Sequence, residues 1–247
     1  MSDFYFGEKM GRIFIGILIF CMSCIASDID SFEDEYSQSS FDPLSGYNRV
    51  MTEFNHMFYQ NILIPTFKGY DYIMPDPAQD AIGNFFDNLM FPIRFVNNIL
   101  QFKFKAAGEE TLRFIANTII GFGGINDAAT NVYGLKRHDE DFGQTLGHWG
   151  IGSGFPIVLP ILGQTNLRDL IGMGGDFFIN PLTYTNEAFS DDGNKYFHLN
   201  LAAKSWQVIN EGSQDPELYN KLTSGAIDLY TFIKDGYEQR RNALIQE

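Results

Sequence analysis

The sequence predicts an all-α fold, and three observations carry that expectation. Apolar residues recur at helical spacing through most of the chain. No alternating apolar–polar stretch is long enough for a sheet. The strongest punctuation is Pro and Gly placed between the periodic segments. No internal repeat is visible, and one Gly/Pro-rich segment stands outside the helical pattern.

The N-terminus reads as a signal peptide over residues 1–23. Lys9 and Arg12 precede an apolar run at residues 13–20, too short for a bilayer span, which needs about 20 residues. Both cysteines of the chain, Cys21 and Cys24, close this segment. Their position there argues against a redox pair. Two processing routes are open. Cys24 after Ser23 fits the lipid-modified first residue of a lipoprotein, which is the preferred reading. Cleavage after Ala26 fits the small-x-small pattern Cys24-Ile25-Ala26. Neither leaves two cysteines for an intramolecular disulfide. Residues 24–40 then form a polar tether in which Asp28, Asp30, Glu33, Asp34 and Glu35 meet no base, the composition of a disordered linker.

The folded body is expected over residues 41–247, opening at Phe41-Asp42-Pro43. Val50, Phe54, Met57 and Phe58 fall on one helical face. Ala78, Ile82, Phe85, Phe86, Leu89 and Met90 form a second stripe opposite Asp80, Asn84 and Asp87, and Pro92 interrupts the chain before Val96, Ile99 and Leu100. Leu112, Ile115, Ala116, Ile119 and Ile120 make an i, i+3, i+4, i+7, i+8 set that Gly121, Gly123 and Gly124 terminate. Leu222, Ala226, Leu229, Ile233 and Tyr237 form the last stripe.

Residues 142–167 differ. They hold no Asp, Glu, Lys or Arg, yet carry six Gly and two Pro. A spanning helix tolerates that composition poorly, and an exposed loop in water is rarely so apolar. Irregular backbone at membrane depth occurs where it is buried in protein or lines a cavity. A buried core loop remains the competing reading.

Composition excludes some functions. The chain carries a net charge of −14, so it lacks the basic footprint of a nucleic-acid binder. Net charge does not draw it to anionic lipid either. Its 24 Phe and 12 Tyr suit a large core or a surface that meets lipid, a packed core being the default. No catalytic constellation is visible. Gly150-Ile151-Gly152-Ser153-Gly154 lacks nucleophile-elbow spacing, and Gly172-Met173-Gly174-Gly175 lacks the context of a phosphate loop. The histidines His56, His138, His148 and His198 stand apart, with no metal-ligand spacing. Neither a metal nor a cofactor is expected. His138-Asp139-Glu140-Asp141 reads as a solvated charged turn, and Arg168-Asp169 as an ion pair at a helix start.

A set of short blocks resembles a known family. Asp42-Pro43-Leu44 with Gly46-Tyr47-Asn48-Arg49 and Phe54-Asn55 opens it, followed by Pro77, Asn84-Phe85-Phe86, and Asn97 with Leu100-Gln101. Arg113-Phe114, Asn117-Thr118, Gly121, Gly124 and Asp127-Ala128 come next. The most specific block runs Asp141-Phe142-Gly143-Gln144-Thr145-Leu146-Gly147, then Trp149-Gly150, Gly152, Pro160, Gly163 and Arg168-Asp169. Together, over residues 42–241, these resemble the MlaA (VacJ) family of outer-membrane lipoproteins. The resemblance implies a ring-like helical protein lying in the outer membrane. It also implies an amphipathic channel that removes mislocalised phospholipid from the outer leaflet, a soluble periplasmic carrier that receives it, and a trimeric porin as membrane partner. The signal peptide departs from the family pattern, because Cys21 stands where an aliphatic residue is usual.

Within that frame, residues 143–163 are expected to line or gate the lipid path. The residues concerned are Gly143, Gly147, Gly150, Gly152, Phe155, Pro156, Ile157, Val158, Leu159, Pro160 and Gly163. An uncharged segment faces acyl chains at low cost, and its glycines permit hinging. On this reading Val158→Asp blocks transfer while leaving the fold intact, and lipid cross-links at Phe155 or Leu159. The alternatives are a structural lipoprotein that only scaffolds a porin, and a phospholipase.

Overall fold

The computed structural model describes residues 41–184 and 197–247. The expected signal peptide, Cys24 and the tether lie outside the described residues. The body is mostly helical, as the periodicity predicts. Helix α1 (Ser45–Phe58) runs through a π-helical turn (Tyr59–Leu63) into α2 (Ile64–Ile73). Pro65, which has no N–H for a helical ladder, follows that turn. Helices α3 (Asp76–Leu89) and α4 (Phe91–Leu100) each carry a proline in the first turn, Pro77 and Pro92, where a missing N–H costs nothing. Helix α5 (Phe104–Ile119) ends before Gly121, where a side chain would strike the carbonyl oxygens of Asn117 and Asn126.

The second half uses side-chain caps. Asp127 caps α6 (Ala128–Tyr133), Asp141 caps α7 (Phe142–His148), Asn166 caps α8 (Leu167–Ile179) and Asp228 caps α11 (Leu229–Gln246), each accepting a backbone N–H of the first turn. A 3-10 turn (Pro181–Tyr184) follows α8, and α9 (Phe197–Ser213) and α10 (Leu218–Thr223) precede α11. Helix α7 packs on α8 and α11, α4 on α5, and α9 on α2 and α3.

The irregular segment contains an element that periodicity did not announce. Strands β1 (Pro156–Leu159) and β2 (Gly163–Asn166) form an antiparallel hairpin, Pro156 facing Asn166 and Leu159 facing Gly163. Four residues are too few to display alternation, which is why the sequence pattern pointed to no sheet.

The sidedness of the helices is inverted relative to a protein folded in water. Leu112, Ile115 and Ile119, the clearest apolar stripe, are 54%, 46% and 73% exposed. The opposite face of α5 buries Glu110, Arg113 and Asn117 beside small Ala107 and Ala116. Of the described phenylalanines only Phe67 and Phe86 are buried, so the packed-core default fails for most of them. Buried polar and charged side chains outnumber buried apolar ones among the described residues, and Asn48, Asn97, Asn98, Asn166 and Asn210 are wholly enclosed. Buried amides are tolerated because they are bonded. Asn97 donates to Asp176 (3.0 Å) and Ile93 O (3.0 Å) and accepts from Thr145 (2.8 Å), while Asn210 donates to Gln79 O (2.9 Å). No described helix is long and apolar enough to cross a membrane.

Candidate functional site

The uncharged segment is held from two sides. On one side stands α1. The Asn48 amide donates to Pro156 O (3.0 Å) and accepts from Val158 N (2.9 Å). The Asn55 amide donates to Leu159 O (2.9 Å) and accepts from Ile161 N (2.7 Å). Each amide therefore binds one C=O and one N–H of the hairpin, as a neighbouring strand would. The spacing explains the fit. Seven helical residues rise about 10 Å, and three strand residues rise about 10 Å, so two side chains on one face of α1 match two rungs of the hairpin. Val158 is 2% exposed and packs in a small cluster with Met51, Tyr230 and Tyr47. Tyr230 donates to Asp42 (2.5 Å), and burial together with that carboxylate pushes its phenol well above the usual range.

On the other side stands a charge cluster under α7. Arg241 on α11 donates to both oxygens of Asp141 (2.6 and 2.8 Å) and to Asp169 (3.0 Å). Asp169 also accepts from Arg168 (2.9 Å) and Tyr237 (2.8 Å). Burial alone would raise both carboxyls, but Arg241 and the Gln144 N–H hold Asp141, and Arg168, Arg241 and the Tyr237 hydroxyl hold Asp169, below the ordinary carboxylate value. Gly143 sits in this cluster, where a Cβ would lie 2.5 Å from Asp169 Oδ1. Gly172 of α8 abuts the Gly143 backbone, with no room for a side chain, so α7 and α8 touch main chain to main chain. Asp176, one turn further along α8, accepts from Phe142 N with both oxygens (3.1 Å each) and from Asn97 (3.0 Å). Burial pushes its carboxyl up to about 6 against these donors.

The expected path residues thus divide. Gly143, Pro156 and Val158 are buried, and Gly147 is pressed against Ile245. Phe155, Ile157, Leu159 and Pro160 are partly exposed. Gly150, Gly152 and Gly163 have open space where a side chain would stand, and Gly150 and Gly163 have φ of +82° and +86°. Val158 is therefore a core residue. A carboxylate there would be buried beside Met51 and Tyr230, so Val158→Asp reports on folding, and the expectation that it leaves the fold intact is corrected. A polar pocket lies elsewhere, lined by Asn84, Asp87, Arg94, Arg113, Asp127 and Arg137 among others, and no residue of 142–167 lines it.

Two further readings change. The run from His138 to Asp141 is no solvated turn. Glu140 is buried and accepts from Gln101 (2.7 Å) and Lys103 (2.5 Å), His138 meets Glu109 (2.6 Å), and Asp141 caps α7. Arg168 and Asp169 do pair at the start of α8, within a larger network that includes Arg241. His148 is exposed, in edge contact with the Trp149 ring. Sequence reasoning passed over Asn48 and Asn55 as anchors, and Asp176 and Arg241 as clamps. The seven-residue spacing of the two asparagines was the available signal.

Among the described residues the chain is a helical protein with polar amides inside, apolar stripes outside and no helix long and apolar enough to cross a membrane. The chain belongs to the MlaA lipoprotein family, whose sequence profile matches residues 40–244. An uncharacterised protein of Rickettsia bellii is 30% identical over 241 residues, covering 93% of this chain and 91% of the relative. The intermembrane phospholipid transport system lipoprotein MlaA of Escherichia coli is 34% identical over 224 residues, covering 90% and 82%. A solved chain, described as the structural basis for maintenance of bacterial outer membrane lipid asymmetry, superimposes with a TM-score of 0.67 at 30% identity. It covers 83% of this chain and 100% of its own.

Proposed function

We propose that this chain lies in the outer membrane, takes mislocalised phospholipid from its outer leaflet and delivers it to a soluble periplasmic carrier, with a trimeric porin as membrane partner. The observation that carries this reading is the inverted polarity. Ile115, Ile119, Phe122 and Phe178 are exposed while Asn97, Asn98 and Glu110 are enclosed. In water that arrangement forfeits most of the hydrophobic stabilisation, whereas in lipid it satisfies both faces. The relation to a phospholipid-transport lipoprotein supports it.

Transfer needs such a body. A phospholipid exposes roughly 30 methylenes, so a route through water costs more than ~20 kcal/mol. The partly exposed Phe155, Ile157 and Leu159, flanked by glycines at positive φ, form the wall or gate of the apolar path. The amides of Asn48 and Asn55 latch that wall to α1. Lipidation of Cys24 would hold the N-terminus at the membrane, and mass spectrometry of the mature N-terminus tests it, a free N-terminus at Ser27 counting against it. The path itself is tested by a photoactivatable residue at Phe155 or Leu159 in cells. Cross-linking to phospholipid is the expected result. Its absence at both positions, with cross-linking retained at Ile115, overturns the assignment.

A further inference from the structure

Three residues other than glycine hold a left-handed backbone among the described residues: Phe102 (φ 59°), Phe122 (φ 54°) and Ile161 (φ 69°). Glycine takes that conformation without penalty, and a bulky or β-branched side chain does not. All three are large and apolar, all three sit at turns between elements, and they are 63%, 82% and 49% exposed. Main-chain bonds from Lys103 N to Asn98 O (2.9 Å) and from Gly123 N to Thr118 O (2.9 Å), and the Asn55 amide accepting from Ile161 N (2.7 Å), hold these backbones, while in water the apolar side chains they carry stay unburied. Strain of this kind persists where the orientation of the side chain matters.

The surroundings fit one occupant. Phe102 packs against Phe104 (ring centroids 6.0 Å apart) and edge-on against Trp149 (5.5 Å). Trp149 Nε1 donates to Leu100 O (3.1 Å), which leaves the ring body outward without an unpaired donor. Lys105, 92% exposed, stands beside Phe104. An aromatic cluster beside an exposed lysine, whose ammonium lies 3.7 Å from Glu109 on the same helix, suits the boundary between acyl chains and lipid phosphate. Leu162, also exposed, extends the Ile161 tip. The Phe122 tip continues the apolar stripe of α5, which ends at Ile119 three residues before it.

We propose that the turns at Phe102, Phe122 and Ile161 are insertion points into the acyl layer of a phospholipid bilayer, their left-handed backbones aiming a bulky apolar side chain out of the protein and setting how deep the body sits. This rests on the membrane location in the reading above and is independent of lipid transfer. The measurement is depth-dependent quenching in vesicles of phosphatidylethanolamine and phosphatidylglycerol doped with brominated lipid. The full chain carries one tryptophan at a time: Trp149 alone with Trp206→Phe, or Phe122→Trp, Ile161→Trp or Ile115→Trp with both native tryptophans changed to Phe. Quenching by chain-brominated lipid at Trp149 and at both tips is expected. Quenching at Ile115→Trp with none at the tips overturns this inference and leaves the membrane location standing. No quenching anywhere overturns both. As a second arm, Phe102→Gly and Phe122→Gly keep the fold, since glycine suits the backbone, and each lowers vesicle affinity about tenfold. Unchanged affinity in both overturns the proposal.

Discussion

Asn48 is bound to Val158 through the main chain of one and the side chain of the other, Oδ1 accepting from Val158 N at 2.9 Å while Nδ2 reaches Pro156 O at 3.0 Å. A helix thereby supplies the hydrogen bonds of a missing strand. Asn48→Ala leaves a buried N–H and a buried C=O unpaired, at about 1–3 kcal/mol each. A loss of about 2–4 kcal/mol in detergent-solubilised protein is expected by denaturant unfolding. Asn55→Ala costs less, because its bonds lie nearer the surface.

The hairpin has two faces with different consequences. Val158→Asp places a carboxylate in the Met51–Tyr230 cluster and costs more than about 3 kcal/mol, so little folded protein accumulates. Leu159→Asp points to the partly exposed face and leaves a folded chain that fails in lipid transfer. Expression level and outer-leaflet phospholipid, measured together, separate the two.

Arg241 closes the C-terminal helix onto α7 and α8. Arg241→Met strands Asp141 without a guanidinium and leaves Asp169 to Arg168 and Tyr237, a loss of about 3–5 kcal/mol. Limited proteolysis then cuts first within α11.

Acid has opposite effects at two pH ranges. Asp176, pushed up to about 6, favours its neutral form in the folded state, so its ionisation costs stability above that value and the cost fades as pH falls toward 3.8. Asp127, Asp141 and Asp169 sit below 3.8, so their contributions are present above it and vanish as pH falls further. The melting temperature therefore rises from about pH 7.5 to pH 5 and drops below about pH 4. Asp176→Asn flattens the first limb, worth about 2 kcal/mol, and spares the second.

The helices were legible because periodicity survives any solvent. Leu112, Ile115 and Ile119 mark α5 whether they face a core or lipid, so the stripe gave the element and not its direction. The clue to direction lay opposite, where Glu110, Arg113 and Asn117 share a face with small Ala107 and Ala116. The hairpin was hidden because its strands are four residues long and its register is set by Asn48 and Asn55, far away in sequence. The charge cluster was hidden for the same reason, since Arg241 lies 100 residues from Asp141. The uncharged run at 142–167 was visible at once, but its division into buried and open residues depends on which partners reach it.

The proposed removal of phospholipid from the outer leaflet is read out by outer-leaflet phospholipid in a strain deleted for this chain. Accumulation that the wild-type chain reverses, and that a chain carrying Leu159→Asp at normal level does not, is the predicted result. Wild-type lipid asymmetry in the deletion strain would contradict the account.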